Sequence, residues 1–152
     1  YAAEGLGAWM IDQDKQLRRL VTAELPIIPR ILLSRHHQGH EEAHTLTNIA
    51  MKFGDYTVLH VGSAFKMCRI AEGAADFYPR FGATMEWDTA AAQILLTEAG
   101  GLLVNQHGQP LRYNSRDTLT NDAFFVIGEK KRLDDWLACL KQPSPQPSLS
   151  TV

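Results

Sequence analysis

Residues 87–105 read Trp87-Asp88-Thr89-Ala90-Ala91-Ala92-Gln93-Ile94-Leu95-Leu96-Thr97-Glu98-Ala99-Gly100-Gly101-Leu102-Leu103-Val104-Asn105. The stretch 87–99 is rich in alanine and leucine, the residues that lose least on entering a helix. Asp88 is typed for an N-cap, and the Gly100-Gly101 pair for a stop. Residues 102–105 then form a short apolar run of strand length. A helix delivered into a strand through a glycine turn is the repeating unit of an α/β fold.

Working outward, the alternation continues in both directions. Upstream, 75–81 reads as a strand, 62–72 as a helix opened by Gly62-Ser63 and closed by Gly73, and 56–61 as a β-branched, aromatic strand. Before these, 40–53 has helical spacing, with Ala43, Leu46, Ile49, Ala50 and Phe53 on the expected buried face and Gly54 as the stop. The apolar run 27–34 suits a buried strand after Pro29, and 1–11 a hairpin broken by Gly5 and Gly7. Downstream come a turn at His107-Gly108, a strand at 124–127 and a closing amphipathic helix at 129–140. That helix is expected to turn Leu133, Trp136, Leu137 and Leu140 inward. Residues 142–152 are rich in Pro and Ser and are expected to be a disordered tail, leaving 1–141 as one lobe. The pattern predicts an α/β sandwich with a mixed sheet, whose ligands bind where strands end and helices begin.

The totals narrow the function classes. A chain of 152 residues that is 45% hydrophobic can bury a real core. A net charge of −2 gives no footing for a nucleic acid polymer. No apolar run approaches the roughly 20 residues that span a bilayer. Cys68 and Cys139 form no Cys-x-x-Cys pair, which fits a reducing compartment. Tyr1 stands where a Met would open a complete chain, and Tyr1-Ala2-Ala3-Glu4-Gly5 reads like a strand entering a turn; the start is expected to be missing.

Two strand–helix junctions have the chemistry of an anion site. In Gly62-Ser63-Ala64-Phe65-Lys66, Gly62 permits a tight turn and Ser63 would cap the helix. Free N–H groups there attract phosphate, with Lys66 one turn along. A capped helix with a solvated lysine is the plainer reading. Acyl-serine chemistry shares the Ser-x-x-Lys spacing but needs Ser-Asp-Asn and Lys-Thr-Gly partners, which are absent. At the second junction, Asp88 would cap its helix and hold a hard cation with its other oxygen. Between them Arg80, in Tyr78-Pro79-Arg80-Phe81-Gly82, either reaches the same cleft to grip phosphate or lies on the surface.

His36, His37, His40 and His44 raise a metal reading, since His40-Glu41-Glu42-Ala43-His44 matches His-Glu-x-x-His. The expected apolar face points elsewhere, so His40 and His44 are expected to face solvent, and no third-ligand motif comes after them. His37, just past a buried strand, would contact a base or sit in a solvated loop.

Four blocks in order carry a resemblance: 62–73 from Gly62 to Gly73, 75–82 from Ala75 to Gly82, Trp87-Asp88-Thr89-Ala90-Ala91, and Glu98-Ala99-Gly100-Gly101. Together they resemble the C-terminal half of the inositol monophosphatase superfamily. Ser34-Arg35-x-His37, Ser63-x-x-Lys66 and Tyr78-Pro79-Arg80-Phe81-Gly82 look most like its 3′(2′),5′-bisphosphate nucleotidases of the CysQ type. The resemblance implies a three-layer αβα sandwich, the C-terminal lobe of the sugar-phosphatase fold. It implies Mg²⁺-dependent hydrolysis of the 3′-phosphate of adenosine 3′,5′-bisphosphate, a small nucleotide ester. Asp88 would be the metal ligand, and in that role the catalytic residue, of this half; Ser63, Lys66 and Arg80 would recognise the phosphates and ribose that do not react, and His37 would lie beside adenine. It further implies a cytoplasmic protein, with contact at the inner membrane face. The first signature, Asp-Pro-x-Asp-Gly-Thr, is absent, so the N-terminal half with the other metal ligands is the expected missing partner and this piece alone is expected to be inactive. Other readings are an inositol or sugar monophosphatase, and a non-catalytic nucleotide- or anion-binding lobe.

Overall fold

A computed structural model describes residues 1–34 and 39–141. His37, and the tail expected at 142–152, lie outside the described residues. The chain opens with strands β1 (Ala2–Ala3), β2 (Gly7–Ile11) and β3 (Leu17–Leu20), then β4 (Arg30–Leu33), helix α1 (His40–Phe53) and β5 (Thr57–His60). It continues with α2 (Phe65–Ala71), β6 (Phe77–Arg80), β7 (Thr84–Met85) and α3 (Glu86–Ala99). The last part holds β8 (Leu102–Asn105), β9 (Thr120–Asn121), β10 (Phe124–Ile127), a 3-10 turn at Lys130–Arg132 and α4 (Leu133–Leu140).

The central sheet has the order β5-β4-β6-β10-β8 and is mixed, as expected. β4 runs parallel to β5 and β6, whereas β10 is antiparallel to both β6 and β8. Residues along a strand alternate between the two faces, and each face has its own core. Leu32, Tyr78, Leu103, Phe124 and Val126 pack with Met67 and Ile70 of α2 and Ala92 and Leu96 of α3. Ile31, Leu33, Phe77, Phe125 and Ile127 pack with Ile49 of α1 and Trp136 of α4. Trp136 stacks on Phe77 at 4.4 Å between ring centroids. Truncating such a fully buried aromatic to alanine costs about 3–5 kcal/mol.

The αβα layering therefore stands, with one addition. Strands β1–β3 form a separate antiparallel sheet lying against α3, so α3 is covered on two sides. That explains why a helix with alanine at so many positions still buries Ala92, Leu96 and Ala99. Gly100 ends it in the left-handed conformation (φ 102°). Gly101 then passes so close to β10 that a Cβ there would stand 2.8 Å from the Ile127 carbonyl oxygen.

Several expectations need correction. On α1 the buried face runs through Glu42, Thr45 and Ile49, while Ala43 and Ala50 are exposed. Helix α2 begins at Phe65, so Ser63 is no N-cap. Helix α3 begins at Glu86, so Asp88 is its third residue and not its cap. β3, β7 and β9 fall in stretches to which the sequence pattern assigns no element; the last two are only two residues each, too short for a periodicity to declare them.

Candidate functional site

The three parallel strands all run out at one end of the sheet, and the segments beyond them converge there. Ser34 lies just past β4, Val61–Ala64 just past β5, and Arg80 ends β6. Thr84, Asp88 and Thr89, around the start of α3, line the same space. The cavity between them measures about 460 Å³ and is lined by Ser63, Lys66, Arg80 and Asp88, with Ser34, Tyr78 and Thr89 among their neighbours. Four of the five residues singled out from sequence are thus brought together. The fifth, His37, lies outside the described residues.

Each of the four does something the sequence did not convey. Ser63 adopts φ 58°, the left-handed region that β-carbon-bearing residues rarely occupy. Gly62 needs no such freedom, so the tight turn belongs to Ser63. Lys66 is buried, and its Nζ donates to the carbonyls of Val61 (3.1 Å) and Ser63 (3.0 Å). Its ammonium also stands 4.9 Å from the Tyr78 ring centroid. Lys66 thus holds the strained turn from within, and acyl-serine activation finds no support because its bonds go to backbone. Burial, and secondarily the charge of Arg80, push the Lys66 pKa down.

Arg80 donates to Ser34 Oγ (3.3 Å) and to the carbonyls of Gly82 (3.1 Å) and Ala83 (3.3 Å). It is a braced cation at the cavity edge, not a loose surface arginine. Asp88 is exposed, and its Oδ2 accepts the Met85 N–H at 3.0 Å, which satisfies one free donor of the helix start. The helix dipole favours the carboxylate there, and among the described residues its second oxygen is unengaged.

Sequence reasoning missed Tyr78, although Tyr78 and Arg80 sit two apart on a strand and so share a face. Burial pushes the Tyr78 hydroxyl pKa up. It also missed Glu42, a buried carboxyl of α1 whose pKa is raised by burial against the opposing charges of His60 and Arg80. The His-Glu-x-x-His stretch does not converge. His40 is exposed, and His44 is half-buried, with Nε2 3.2 Å from the Lys141 carbonyl and 3.1 Å from Asn48 Nδ2. The expectation that both face solvent holds for His40 only. Among the described residues, no group of three or more His, Cys, Asp or Glu is placed to hold a metal.

The family model described as "Inositol monophosphatase family" matches residues 1–145. The chain belongs to that family. It is 35% identical over 126 residues to the 3′(2′),5′-bisphosphate nucleotidase CysQ of Salmonella typhimurium, covering 83% of this chain and 48% of that protein. The CysQ of Escherichia coli K12 is 34% identical over 125 residues, covering 82% of this chain and 48% of the relative. The crystal structure of CysQ from Bacteroides thetaiotaomicron superposes with a TM-score of 0.66 at 34% identity, covering 77% of this chain and 43% of that one. Mycobacterium tuberculosis SuhB shares the fold, with a TM-score of 0.66 at 22% identity over 91% of this chain and 51% of its own. This inositol monophosphatase family member spans about half the length of the curated relatives it matches. No helix of the described residues is long and apolar enough to cross a membrane.

Proposed function

We propose that this chain supplies the substrate-binding wall and one metal-binding carboxylate of a magnesium-dependent phosphomonoesterase. The substrate proposed is adenosine 3′,5′-bisphosphate, losing its 3′-phosphate. The observation that carries the reading is one cavity shared by Asp88, Ser63, Lys66 and Arg80. Two cations, a hydroxyl and a carboxylate lining one cavity suit an anionic ester bound beside a cation. The names of the CysQ relatives support a nucleotide ester over an inositol phosphate.

The donor set fits magnesium in part. Mg²⁺ takes one or two carboxylates together with water and phosphate oxygens, and Asp88 offers one carboxylate with an oxygen unengaged among the described residues. Further acidic donors would have to come from outside the described residues. When bound, the metal supplies charge neutralisation and lowers the pKa of water. This chain's residues do the rest. Lys66 and Arg80 neutralise and orient the phosphates, and the Ser63 turn presents its hydroxyl and backbone at the cavity. The bracing of Arg80 and Lys66 by backbone carbonyls keeps that orientation fixed, which is where much catalytic advantage arises.

The single carboxylate favours one other reading, a nucleotide- or anion-binding lobe without chemistry. Titrating the ¹⁵N-labelled chain with adenosine 3′,5′-bisphosphate, and in parallel with inositol 1-phosphate, tests binding and its preference. Shifts concentrated at 62–66 and 80–89 for the nucleotide support the proposal. No shift with either ligand sinks it, and a preference for the inositol ester moves the substrate assignment to that class.

A further inference from the structure

We propose that Asn121 of β9 is a positioning residue that sets the Asp88 carboxylate and the cavity wall beside it; its importance for catalysis rests on the reading of Asp88 as a cation ligand. Asn121 is far from Asp88 in sequence, belongs to no motif, and is only 3% exposed. Its side-chain amide nitrogen lies 3.0 Å from the Met85 carbonyl oxygen, 2.9 Å from Thr89 Oγ1 and 3.2 Å from Thr84 Oγ1. A primary amide has two hydrogens, so the three acceptors share them. All three belong to the segment that starts α3.

Each of these bonds restrains the ground on which Asp88 stands. Thr84 and Thr89 line the cavity. Met85 is the residue whose N–H holds Asp88 Oδ2. Asn121 also pairs directly with Thr84 in the β7–β9 ladder, and Thr120 with Met85, so Met85 is held through its neighbours and its carbonyl together. Thr89 passes the restraint back to the helix by donating to the Glu86 carbonyl at 3.2 Å. The loop that carries Asn121 is itself fastened to the same helix start. Glu86 N–H donates to the Leu119 carbonyl (2.8 Å), and Glu86 Oε2 accepts the Asn114 N–H (2.7 Å). Without this attachment the first turn of α3 has only its own backbone to direct Asp88, and helix ends fray. A buried amide that satisfies several groups is costly to lose, because a buried partner such as the Thr89 hydroxyl then loses its donor.

Backbone amide exchange in the full 152-residue chain tests this without substrate or metal. Asn121→Asp keeps the size of the side chain but presents lone pairs, and at neutral pH a charge, to three acceptors. It is expected to speed exchange of the Met85 amide at least about tenfold, the equivalent of one hydrogen bond lost, while β8 and β10 amides stay within about twofold. Thr89→Val should speed Met85 exchange less, and the double variant should fall short of the product of the two, as coupled residues do. Unchanged Met85 exchange overturns the proposal. So does acceleration spread evenly over β8 and β10, the mark of a merely structural residue. If Asn121→Asp does not fold, Asn121→Ser, an uncharged single donor, is read by the same criteria. Because the readout needs no ligand, it decides the role of Asn121 even in a chain that titration shows to bind neither phosphate ester.

Discussion

An asparagine at position 88 retains an oxygen for the Met85 N–H but lacks the charge that a divalent cation requires. Asp88→Asn in a phosphatase containing this lobe is therefore expected to lower kcat by at least about two orders of magnitude. Its urea midpoint should stay near that of the parent, as steady-state kinetics and denaturation together will show. Lys66 makes a prediction of opposite character, about pH. Its native pKa is lowered from the ordinary 10.5 by burial and by Arg80. The native state then binds that proton less tightly than the unfolded chain. Between the lowered native value and the unfolded value, the unfolded state holds more protons, so stability rises with pH through that window. Lys66→Met removes the proton and with it the slope. Urea unfolding at about pH 7 and about pH 10 should show the parent gaining on Lys66→Met at the higher pH; a constant difference would remove Lys66 from the account. Residue by residue, the sequence disclosed which side chains meet but not what they do there. Ser63 and Asp88 were both placed at N-caps, and both lie elsewhere, because short polar residues suit several positions around a helix start.

At the scale of elements, α3 shows how a legible motif can hide its physical task. Glu98 precedes the Gly100-Gly101 stop and reads as one more polar residue near a helix end. Its two oxygens instead accept the N–H groups of Gly5 (2.9 Å) and Gly7 (2.8 Å), fixing the β1–β2 turn onto α3 across more than ninety residues. Those N–H groups hold the Glu98 carboxyl below its ordinary range, so the stabilisation is present at neutral pH and is lost as pH falls through the native value. Glu98→Gln, with one acceptor oxygen where two were used, should speed exchange of the Gly5 and Gly7 amides severalfold and leave β10 unaffected. Equal protection in both proteins would mean the turn is held by other contacts. The long elements were readable from their helix-favouring composition and the glycines that end them; α1, stopped by Gly54, was expected over 40–53 and spans His40–Phe53. Its buried face was not, since Glu42 and Thr45 are polar and a hydrophobicity pattern cannot assign them to a core. β7 and β9 pair residues more than thirty positions apart, and nothing local in either dipeptide announces a partner.

For the molecule as a whole, the decisive feature is that the cavity is lined by two braced cations and a single carboxylate. Lys66 and Arg80 are fixed by backbone carbonyls, whereas the acidic side consists of Asp88 alone among the cavity-lining residues. Phosphate-monoester hydrolysis is so slow without catalysis that accelerations near about 10²¹ have been assigned to enzymes. A contribution on that scale requires the charge of the ester and of its leaving oxygen to be neutralised at once. One exposed carboxylate cannot hold the cations that would do it. The asymmetry leads to an expected outcome for the 152 residues by themselves: binding of adenosine 3′,5′-bisphosphate with negligible release of phosphate, even at millimolar Mg²⁺. The chain spans about half the length of the curated relatives, and among the described residues no acidic side chain other than Asp88 lines this cavity. If Lys66 and Arg80 hold the ester as proposed, binding should weaken as salt rises, although less steeply than at an exposed site because both are partly shielded from solvent. Phosphate release measured with and without the metal, next to calorimetric binding of the same nucleotide, separates the two properties. Robust Mg²⁺-dependent turnover by the chain alone would mean that acidic groups beyond Asp88 reach this cavity from within the 152 residues.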